Sequence, residues 1–311
     1  MNVTVIVPVY NEEECLPEFI NRMTAVIEDI VQFNVMLRVL FVDDGSTDKS
    51  DEILKVVALQ DSRFQIVQLA TNFGHQSAVW CGLETVAQEE VVIVMDCDLQ
   101  DPPEILPEII HKSKDFDIIL TRRRTRTDKA FKRFTASVYY KILNNLSEGN
   151  VIQDSGDFYL LKPIARKSLL MHKENVKYIR GLIANIGFRS FTLEYDRDGR
   201  FAGETHYTFT KMVRLAIAGV TGSSIKPLVY VSYTALISSA VTFAGAVATL
   251  VFKLSTPEQF SPGIAAIILL SLGIGSLILI SLAVISVYLA RITIEIKNRP
   301  IYLISEKRNL E

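Results

Sequence analysis

The sequence is poor in residues that mark several common protein classes. Its 311 residues include only three cysteines, Cys15, Cys81 and Cys97, and none forms a C-x-x-C pair. Neither a disulfide framework nor a zinc site is indicated, and a reduced, cytosolic environment is expected. The four histidines show no ligand spacing. The net charge of −2 gives no general attraction to nucleic acid, so nucleic acid is not expected as a partner.

Two phosphate-binding fingerprints and a signal sequence are also missing. The chain contains neither G-x-G-x-x-G nor G-x-x-x-x-G-K-[ST], which argues against a dinucleotide-binding motif and a P-loop. A bound phosphate would then have to be held through a metal and arginine. The opening residues MNVTV lead directly into a predicted strand without a basic segment or a cleavage site, so no signal peptide is expected.

Charge is absent from two long segments near the C-terminus. Residues 228–252 and 263–290 carry no charged side chain, and each exceeds the roughly 20 residues that cross a bilayer core. We therefore predict two transmembrane helices within 227–290. The absence of charge also argues against a channel or transporter, whose spans carry polar or ionisable residues.

The residues that flank these segments predict how the chain is placed at a membrane. Lysines and arginines precede the first span and follow the second, while the loop between the spans carries only Lys253 and Glu258 as charges. The positive-inside rule therefore places both termini and the N-terminal domain in the cytoplasm. Residues 206–226 have an amphipathic pattern, which predicts an interfacial helix. Residues 291–311 are expected to form a cytoplasmic tail.

The first 205 residues read as one α/β domain. Apolar, β-branched runs at 3–9, 35–42, 64–69, 91–95 and 117–121 alternate with segments of helical periodicity, which predicts a mostly parallel, Rossmann-like sheet. Polar, acid-rich loops follow several of these strands and are expected at one edge of the sheet. Asn11 is expected to cap the first helix, and Ser46 or Thr47 the second.

The segment from Val91 to Glu104 is the most informative one. Its apolar strand is followed by Asp96 and Asp98, with Gln100 and Asp101 beyond them. Two carboxylates at a strand end suit a hard divalent cation that also binds phosphate. The simpler alternative is a solvated, aspartate-rich turn.

Two further segments carry candidate functional residues. Asp157 stands at a predicted strand start and is, by itself, as compatible with a turn as with catalysis. Arg122 and Arg123 open a basic run that extends to Arg133. Such a run is often a solvated face, but here contact with anionic lipid or a phosphorylated substrate is at least as plausible.

Five motifs together resemble those of the GT-A family 2 glycosyltransferases. They are Val7-Pro8-Val9-Tyr10-Asn11-Glu12, Val42-Asp43-Asp44-Gly45-Ser46, Asn72-Phe73-Gly74, Asp96-Cys97-Asp98-Leu99-Gln100-Asp101-Pro102-Pro103 and Gly156-Asp157-Phe158. With the two predicted spans, the chain is similar to the polyisoprenyl-phosphate glycosyltransferases, which comprise GtrB-type bactoprenol glucosyltransferases and dolichol-phosphate mannose synthase-like enzymes. It departs from them at Cys97, where alanine is usual, and at His75-Gln76, where many members have Lys-Glu.

The resemblance implies a GT-A fold and a role for each matching residue. Asp96 and Asp98 would hold Mg²⁺ or Mn²⁺, and Asp157 would be catalytic. The nucleotide sugar would contact Pro8, Tyr10, Asn11, Glu12, Asp43, Asp44, Gly45, Ser46, Asp96, Cys97, Asp98 and Gln100. Phosphate or acceptor groups would contact Arg122, Arg123, Arg200 and Lys211.

The expected reaction is inverting, metal-dependent transfer of a sugar from a nucleotide sugar to a membrane polyprenyl phosphate, with a homo-oligomer as the expected assembly. UDP-glucose is the first choice of donor, while GDP-mannose, UDP-N-acetylglucosamine and modified sugars stay open. A processive polysaccharide synthase is disfavoured because no Gln-x-x-Arg-Trp segment is present. A membrane-anchored nucleotide-sugar binding protein without turnover is the alternative of another class.

Overall fold

The computed structural model describes residues 1–123, 155–172, 179–196, 226–255, 263–297 and 299–310. These residues fall into an α/β unit and a unit of two long helices. The predicted interfacial helix at 206–226 lies outside the described residues except for Lys226. The basic run beyond Arg123 lies outside them as well.

The described part of the α/β unit contains one eight-stranded sheet with the order β7-β5-β6-β4-β1-β2-β3-β8. The strands are β1 (Asn2–Val9), β2 (Met36–Asp43), β3 (Phe64–Leu69), β4 (Val91–Val94), β5 (Ile118–Arg123), β6 (Ser155–Leu161), β7 (Ser190–Tyr195) and β8 (Ile304–Arg308). The pairs β1–β2, β1–β4, β2–β3 and β5–β7 are parallel, whereas β4–β6, β5–β6 and β3–β8 are antiparallel. The predicted mostly parallel α/β sheet is confirmed.

Helices cover both faces of this sheet. They are α1 (Leu16–Ile30), α2 (Ser50–Gln60), α3 (His75–Thr85), α4 (Leu106–Lys112), α5 (Pro163–Leu170) and α6 (Ile179–Asn185). Alternate side chains of β1 enter different cores, because successive residues of a strand point to opposite faces. Val5 and Val7 pack with Phe19 of α1, while Ile6 packs with Trp80 of α3.

The first turns of α1 and α2 differ from the sequence-based expectation. Cys15 precedes α1 and Lys49 precedes α2, and neither helix has a side-chain cap. The expectations that Asn11 caps α1 and that Ser46 or Thr47 caps α2 are therefore wrong. Asn11 instead adopts φ +55°, a region that asparagine tolerates, and its Oδ1 accepts a hydrogen bond from the Thr47 amide at 2.8 Å.

The second unit contains two long helices, α7 (Lys226–Ser255) and α8 (Ile264–Lys297). Within the described helices, one stretch, Gly273–Ala290, is long and apolar enough to cross a membrane, with a mean hydropathy of 2.3. The span expected in α7 stays a prediction.

The chain after α8 belongs to the α/β unit. Strand β8 pairs antiparallel with β3, and the Ala70 amide donates to the Leu303 carbonyl at 2.8 Å. The Asn309 amide nitrogen donates to the carbonyls of Ala58 and Phe64 at 2.6 and 2.9 Å. These contacts fix the end of the chain along the outer edge of β3.

Candidate active site

The candidate site is a cleft at the edge of the sheet where the parallel strands β1, β2 and β4 end. Ligands bind at this edge in open α/β sheets. The cleft has a volume of about 250 Å³. It is lined by seven of the residues predicted from the sequence: Pro8, Tyr10, Glu12, Asp44, Asp96, Cys97 and Asp98.

One wall is made by the loops after β1 and β2, which are joined by hydrogen bonds. The Asn11 amide donates to Ser46 Oγ at 3.1 Å, and the Glu12 amide donates to Ser50 Oγ at 2.9 Å. The Lys49 amide donates to the Glu13 carboxylate at 3.0 Å. Asn11 and Ser46 therefore hold the two loops together, while Tyr10 remains 45% exposed beside the cleft.

Asp43 and Asp44, both buried, organise the loop after β2. Asp44 accepts hydrogen bonds from the amides of Phe73 and Gly74 at 2.7 and 2.8 Å, which ties this loop to the one that precedes α3. Asp43 accepts from the amide and hydroxyl of Ser46 through Oδ1, while its Oδ2 has no hydrogen-bond partner among the described residues. Burial raises the pKa of both carboxyls.

Gly45 is required by the close approach of these two loops. Its φ is +70°, and a Cβ atom there would lie 2.6 Å from the Thr71 carbonyl carbon and 2.9 Å from the Asn72 nitrogen. Real Cβ contacts are essentially never this short with backbone atoms. Only glycine fits, and the segment from Thr71 to Gly74 is consequently held against the β2 loop.

The loop after β4 places Asp96, Cys97 and Asp98 along the cleft. Asp98 Oδ1 accepts a hydrogen bond from the Gln100 amide at 3.1 Å. Cys97 Sγ lies 3.8 Å from the Pro8 carbonyl oxygen, and burial raises the pKa of the thiol well above its usual value. The protonated thiol is a poor ligand for a hard cation. Leu99 is buried with φ +58°, a strained conformation for a non-glycine residue.

The sheet register explains why Asp157 lies beside Asp96. Strands β4 and β6 are antiparallel, and Val94 is paired with Tyr159. Asp96 is two residues beyond Val94 and Asp157 is two residues before Tyr159, so the same register sets them opposite each other. Carboxylates 61 positions apart in the sequence thereby reach one end of the sheet.

Two basic side chains contact this acidic group. His75 lies between the two carboxylates, with Nε2 3.5 Å from Asp157 Oδ2 and Nδ1 3.9 Å from Asp96 Oδ1. Arg180 forms a two-pronged ion pair with Asp157, in which Nε donates to Oδ1 at 2.6 Å and Nη2 donates to Oδ2. Sequence reasoning assigned no role to Arg180 and no contact to His75.

The surroundings shift the pKa values of Asp96 and Asp157 in opposite directions. Burial raises the pKa of Asp96 to about 6; the charge of His75 opposes the rise, and the neighbouring carboxylates of Asp157 and Asp98 add to it. Burial also favours the neutral form of Asp157, but hydrogen bonds and charge from His75 and Arg180 hold its pKa well below its usual range. The two carboxylates therefore have different chemistry, and Asp157 is a poor proton acceptor.

The carboxylate ligands that the cleft offers fit a divalent cation. Within the described residues, no group of three or more His, Cys, Asp and Glu side chains forms a complete protein-only metal site. Mg²⁺ is commonly held by only one or two carboxylates together with substrate phosphates. Asp96 and Asp98 supply two such carboxylates, and a cation would offset both the burial and the carboxylate repulsion that raise the pKa of Asp96.

The basic residues predicted to contact phosphate are only partly described. Arg122 lies near the end of β5, is half-exposed and pairs with Glu194 on β7. Arg123 is paired with Tyr195 in the sheet register. Arg200 and Lys211 lie outside the described residues, so their roles stay predictions.

Comparison with known proteins identifies the family. Residues 4–169 match the model of Glycosyl transferase family 2. The uncharacterized glycosyltransferase YkcC of Bacillus subtilis is 36% identical over 99% of this chain and 94% of its own. The bactoprenol glucosyl transferase of Shigella phage SfII is 32% identical over 98% of each chain.

Among solved structures, similarity is found to the mannosyltransferase PcManGT from Pyrobaculum calidifontis in complex with GDP-Man and Mn²⁺. The TM-score is 0.46 at 17% identity, and the match covers 91% of this chain and 86% of that chain. The family model spans more than half of the chain, and the relatives match it from end to end. The resemblance seen in the sequence motifs is confirmed: the chain is a glycosyltransferase of family 2.

Proposed function

We propose that this glycosyltransferase transfers a sugar from a nucleotide sugar to the phosphate of a membrane polyprenyl phosphate, with glucose from UDP-glucose as the first choice. The observation that carries the proposal is that Asp96 and Asp98 line a cleft at the carboxyl edge of the sheet, with Asp157 set opposite Asp96 by the register of β4 and β6. The relative from Shigella phage SfII, named bactoprenol glucosyl transferase, supports this acceptor class and this sugar.

Asp96 and Asp98 would hold Mg²⁺ or Mn²⁺ on the donor diphosphate. When bound, the cation supplies charge neutralisation for the departing nucleoside diphosphate. The walls formed by Pro8, Tyr10, Glu12 and Asp44 would bind the nucleoside part of the donor. The loops that carry these residues are held by hydrogen bonds, so the donor enters a preformed cleft.

The acceptor phosphate oxygen would attack the anomeric carbon while the bond from that carbon to the diphosphate breaks. A phosphate monoester has a second pKa of about 6, so at neutral pH it is mostly dianionic and has no proton to lose on the attacking oxygen. A general base is then unnecessary. Displacement by a single nucleophile predicts inversion at the anomeric carbon.

Asp157 would orient the acceptor or the sugar and would not remove a proton. Arg180 and His75 keep this carboxylate ionised and disfavour its protonation. A group with such a low pKa is inefficient as a general base near neutral pH. Its fixed position beside Asp96 suits an orienting role.

The placement of the chain at the membrane is part of the proposal. The described residues up to Asp196 and the strand β8 after α8 belong to one α/β unit, so the chain that leaves this unit returns to it. A membrane crossing between them must then occur an even number of times, which supports two spans with both ends of the chain on one side of the membrane. The lysines and arginines outside the two spans favour the cytoplasm for that side. Reporter fusions after Ser255 and after Leu310 should report opposite sides of the membrane; the same side for both would contradict the two-span arrangement.

The sugar and acceptor are tested with purified protein in detergent, undecaprenyl phosphate, Mg²⁺ or Mn²⁺, and separate labelled donors. UDP-glucose, GDP-mannose and UDP-N-acetylglucosamine are compared, and label that enters the organic phase is counted with and without EDTA. Transfer from one donor that EDTA abolishes is expected. Metal-dependent nucleotide binding without transfer from any donor would instead support a nucleotide-sugar binding protein.

A further inference from the structure

The ion pair between Arg180 and Asp157 has the geometry of a fixed clamp. Two guanidinium nitrogens donate to the two oxygens of one carboxylate. Such a paired contact sets the plane of the carboxylate as well as its distance, which a single ammonium group does not do. The Asp157 side chain is 15% exposed and Arg180 is 42% exposed, so the pair lies at the boundary of the protein and the solvent.

The backbone of Arg180 is itself held in place by the core. Ile179 and Ile183 of α6 are 1% and 4% exposed and pack in the core on the α3 side of the sheet. The Ile179 amide donates to Gln76 Oε1 at 3.2 Å, which joins the start of α6 to the first turn of α3. His75 and Gln76 are adjacent, so the same turn contacts both Asp157 and α6. Arg180 therefore extends from an anchored element toward a carboxylate at the cleft.

Resting on the proposed function, we infer that Arg180 is a positioning residue that fixes the carboxylate of Asp157 for sugar transfer. His75 Nε2 lies 3.5 Å from Asp157 Oδ2, the oxygen that also accepts from Arg180 Nη2, and His75 Nδ1 lies 3.9 Å from Asp96, so two basic groups contact Asp157 next to the proposed metal ligands. Loss of the clamp frees Asp157 to rotate out of its orienting position. Misplacement of a catalytic group by 1 Å can lower a rate by about 10²-fold.

The inference is tested by steady-state transfer from UDP-glucose to undecaprenyl phosphate with Arg180→Gln and Arg180→Lys. We expect kcat to fall about 30- to 100-fold in Arg180→Gln, with the KM for the donor changed less than about threefold. Arg180→Lys keeps the charge but lacks the paired geometry, so a loss of at least about tenfold is expected. A lysine variant with full activity would show that charge alone suffices and would overturn the positioning role.

Arg22→Gln is the matched control, because Arg22 forms a similar two-pronged pair with Glu104 between α1 and the turn at Pro103–Ile105. Its kcat should stay within about twofold of the wild-type value, since exposed ion pairs contribute little. Thermal unfolding of each variant separates a folding defect from a catalytic one. Should Arg180→Gln fail to fold, the lysine variant decides the outcome.

A double-mutant cycle with Asp157→Asn gives the sharper test. If Arg180 acts through Asp157, adding Arg180→Gln to Asp157→Asn should lower kcat by less than about threefold further. Fully additive losses, or an Arg180→Gln enzyme as active as Arg22→Gln, would overturn the inference while the proposed function stands. A wild-type enzyme that transfers no sugar would overturn the proposed function and this inference together.

Discussion

Replacement of Gly45 by alanine tests whether the loops beside the cleft are as closely packed as the structure shows. At φ +70° an alanine costs about 1–2 kcal/mol, because its Cβ is crowded by the adjacent carbonyl. The added Cβ also lies 2.6 Å from the Thr71 carbonyl carbon, and backbone atoms cannot rotate away as a flexible side chain can. Overpacking of this kind costs a further ~1–3 kcal/mol. The expected destabilisation is their sum, about 2–5 kcal/mol.

Gly187→Ala is the matched control. Gly187 has φ +72°, and nothing lies within 4 Å of a Cβ atom built there. This variant should show only the conformational cost of about 1–2 kcal/mol. The difference between the two variants isolates the contact between the β2 loop and the Thr71 segment. For domains of 150–250 residues, each kcal/mol corresponds to about 2–4 °C in Tm.

The assay is thermal unfolding in detergent, followed by donor titration at a temperature where both variants are folded. Gly45→Ala should melt several degrees below Gly187→Ala and should have a raised KM for the donor, because Gly74 and His75 line the cleft. Equal melting temperatures would refute the close approach. An unchanged donor KM in a destabilised Gly45→Ala enzyme would refute the link between this contact and the cleft.

Three further predictions concern pH and the end of the chain. At saturating metal, the transfer rate should fall below pH about 6 as the acceptor phosphate gains a proton. Asp157→Asn should keep the midpoint of this pH–rate profile and lower its plateau. A midpoint that disappears in this variant would show that Asp157 acts as a base. Because the pKa of Asp96 is about 6, its ionised fraction falls about tenfold from pH 7 to 5, so the apparent Kd for Mn²⁺ should rise about tenfold; a pH-independent Kd would contradict this. Asn309→Ala removes two hydrogen bonds and leaves an alanine at φ +57°, so it should destabilise the α/β unit by about 2–4 kcal/mol in chemical unfolding, whereas unchanged stability would show that β8 is not fixed to β3.

The pH dependence of stability follows from the same shifts. The pKa of Asp157 is lower in the folded protein than in the unfolded chain, so its pair with Arg180 and His75 contributes stability above the unfolded value near 3.9. That contribution is lost as the pH falls toward the folded pKa. The pKa of Asp96 is raised, so without metal its ionisation opposes folding as the pH rises from about 4 to 6.

The fold of the α/β unit was largely predictable because its strands are buried on both faces. Runs such as Val3–Val9 and Val91–Val94 combine apolar, β-branched residues with polar loops, and this pattern identifies parallel strands locally. The strand β8 was not predicted. Its sequence, ISEKR, carries three charges, and it forms an outer strand whose pairing depends on β3, more than 230 residues earlier.

The carboxylates of the site were predictable, whereas their basic partners were not. Asp96 and Asp98 follow a recognisable strand, so their position at the sheet edge can be read from the local pattern. Arg180 reaches Asp157 only through the packing of α6 and the antiparallel register of β4 and β6. No spacing in the sequence marks this contact, because the two residues belong to different elements. Asn11 failed as a cap since its side chain joins two loops instead.

The most direct test of the account is label transfer from UDP-glucose to undecaprenyl phosphate by the wild type, Asp96→Ala and Asp115→Ala, assayed side by side with metal. Asp115 is an exposed acid before the start of β5, at the opposite edge of the sheet from the cleft, and serves as the control. The account predicts organic-phase label with the wild type and Asp115→Ala, and its loss with Asp96→Ala or EDTA. Undiminished transfer by Asp96→Ala would contradict the assignment of this carboxylate to a metal-dependent active site.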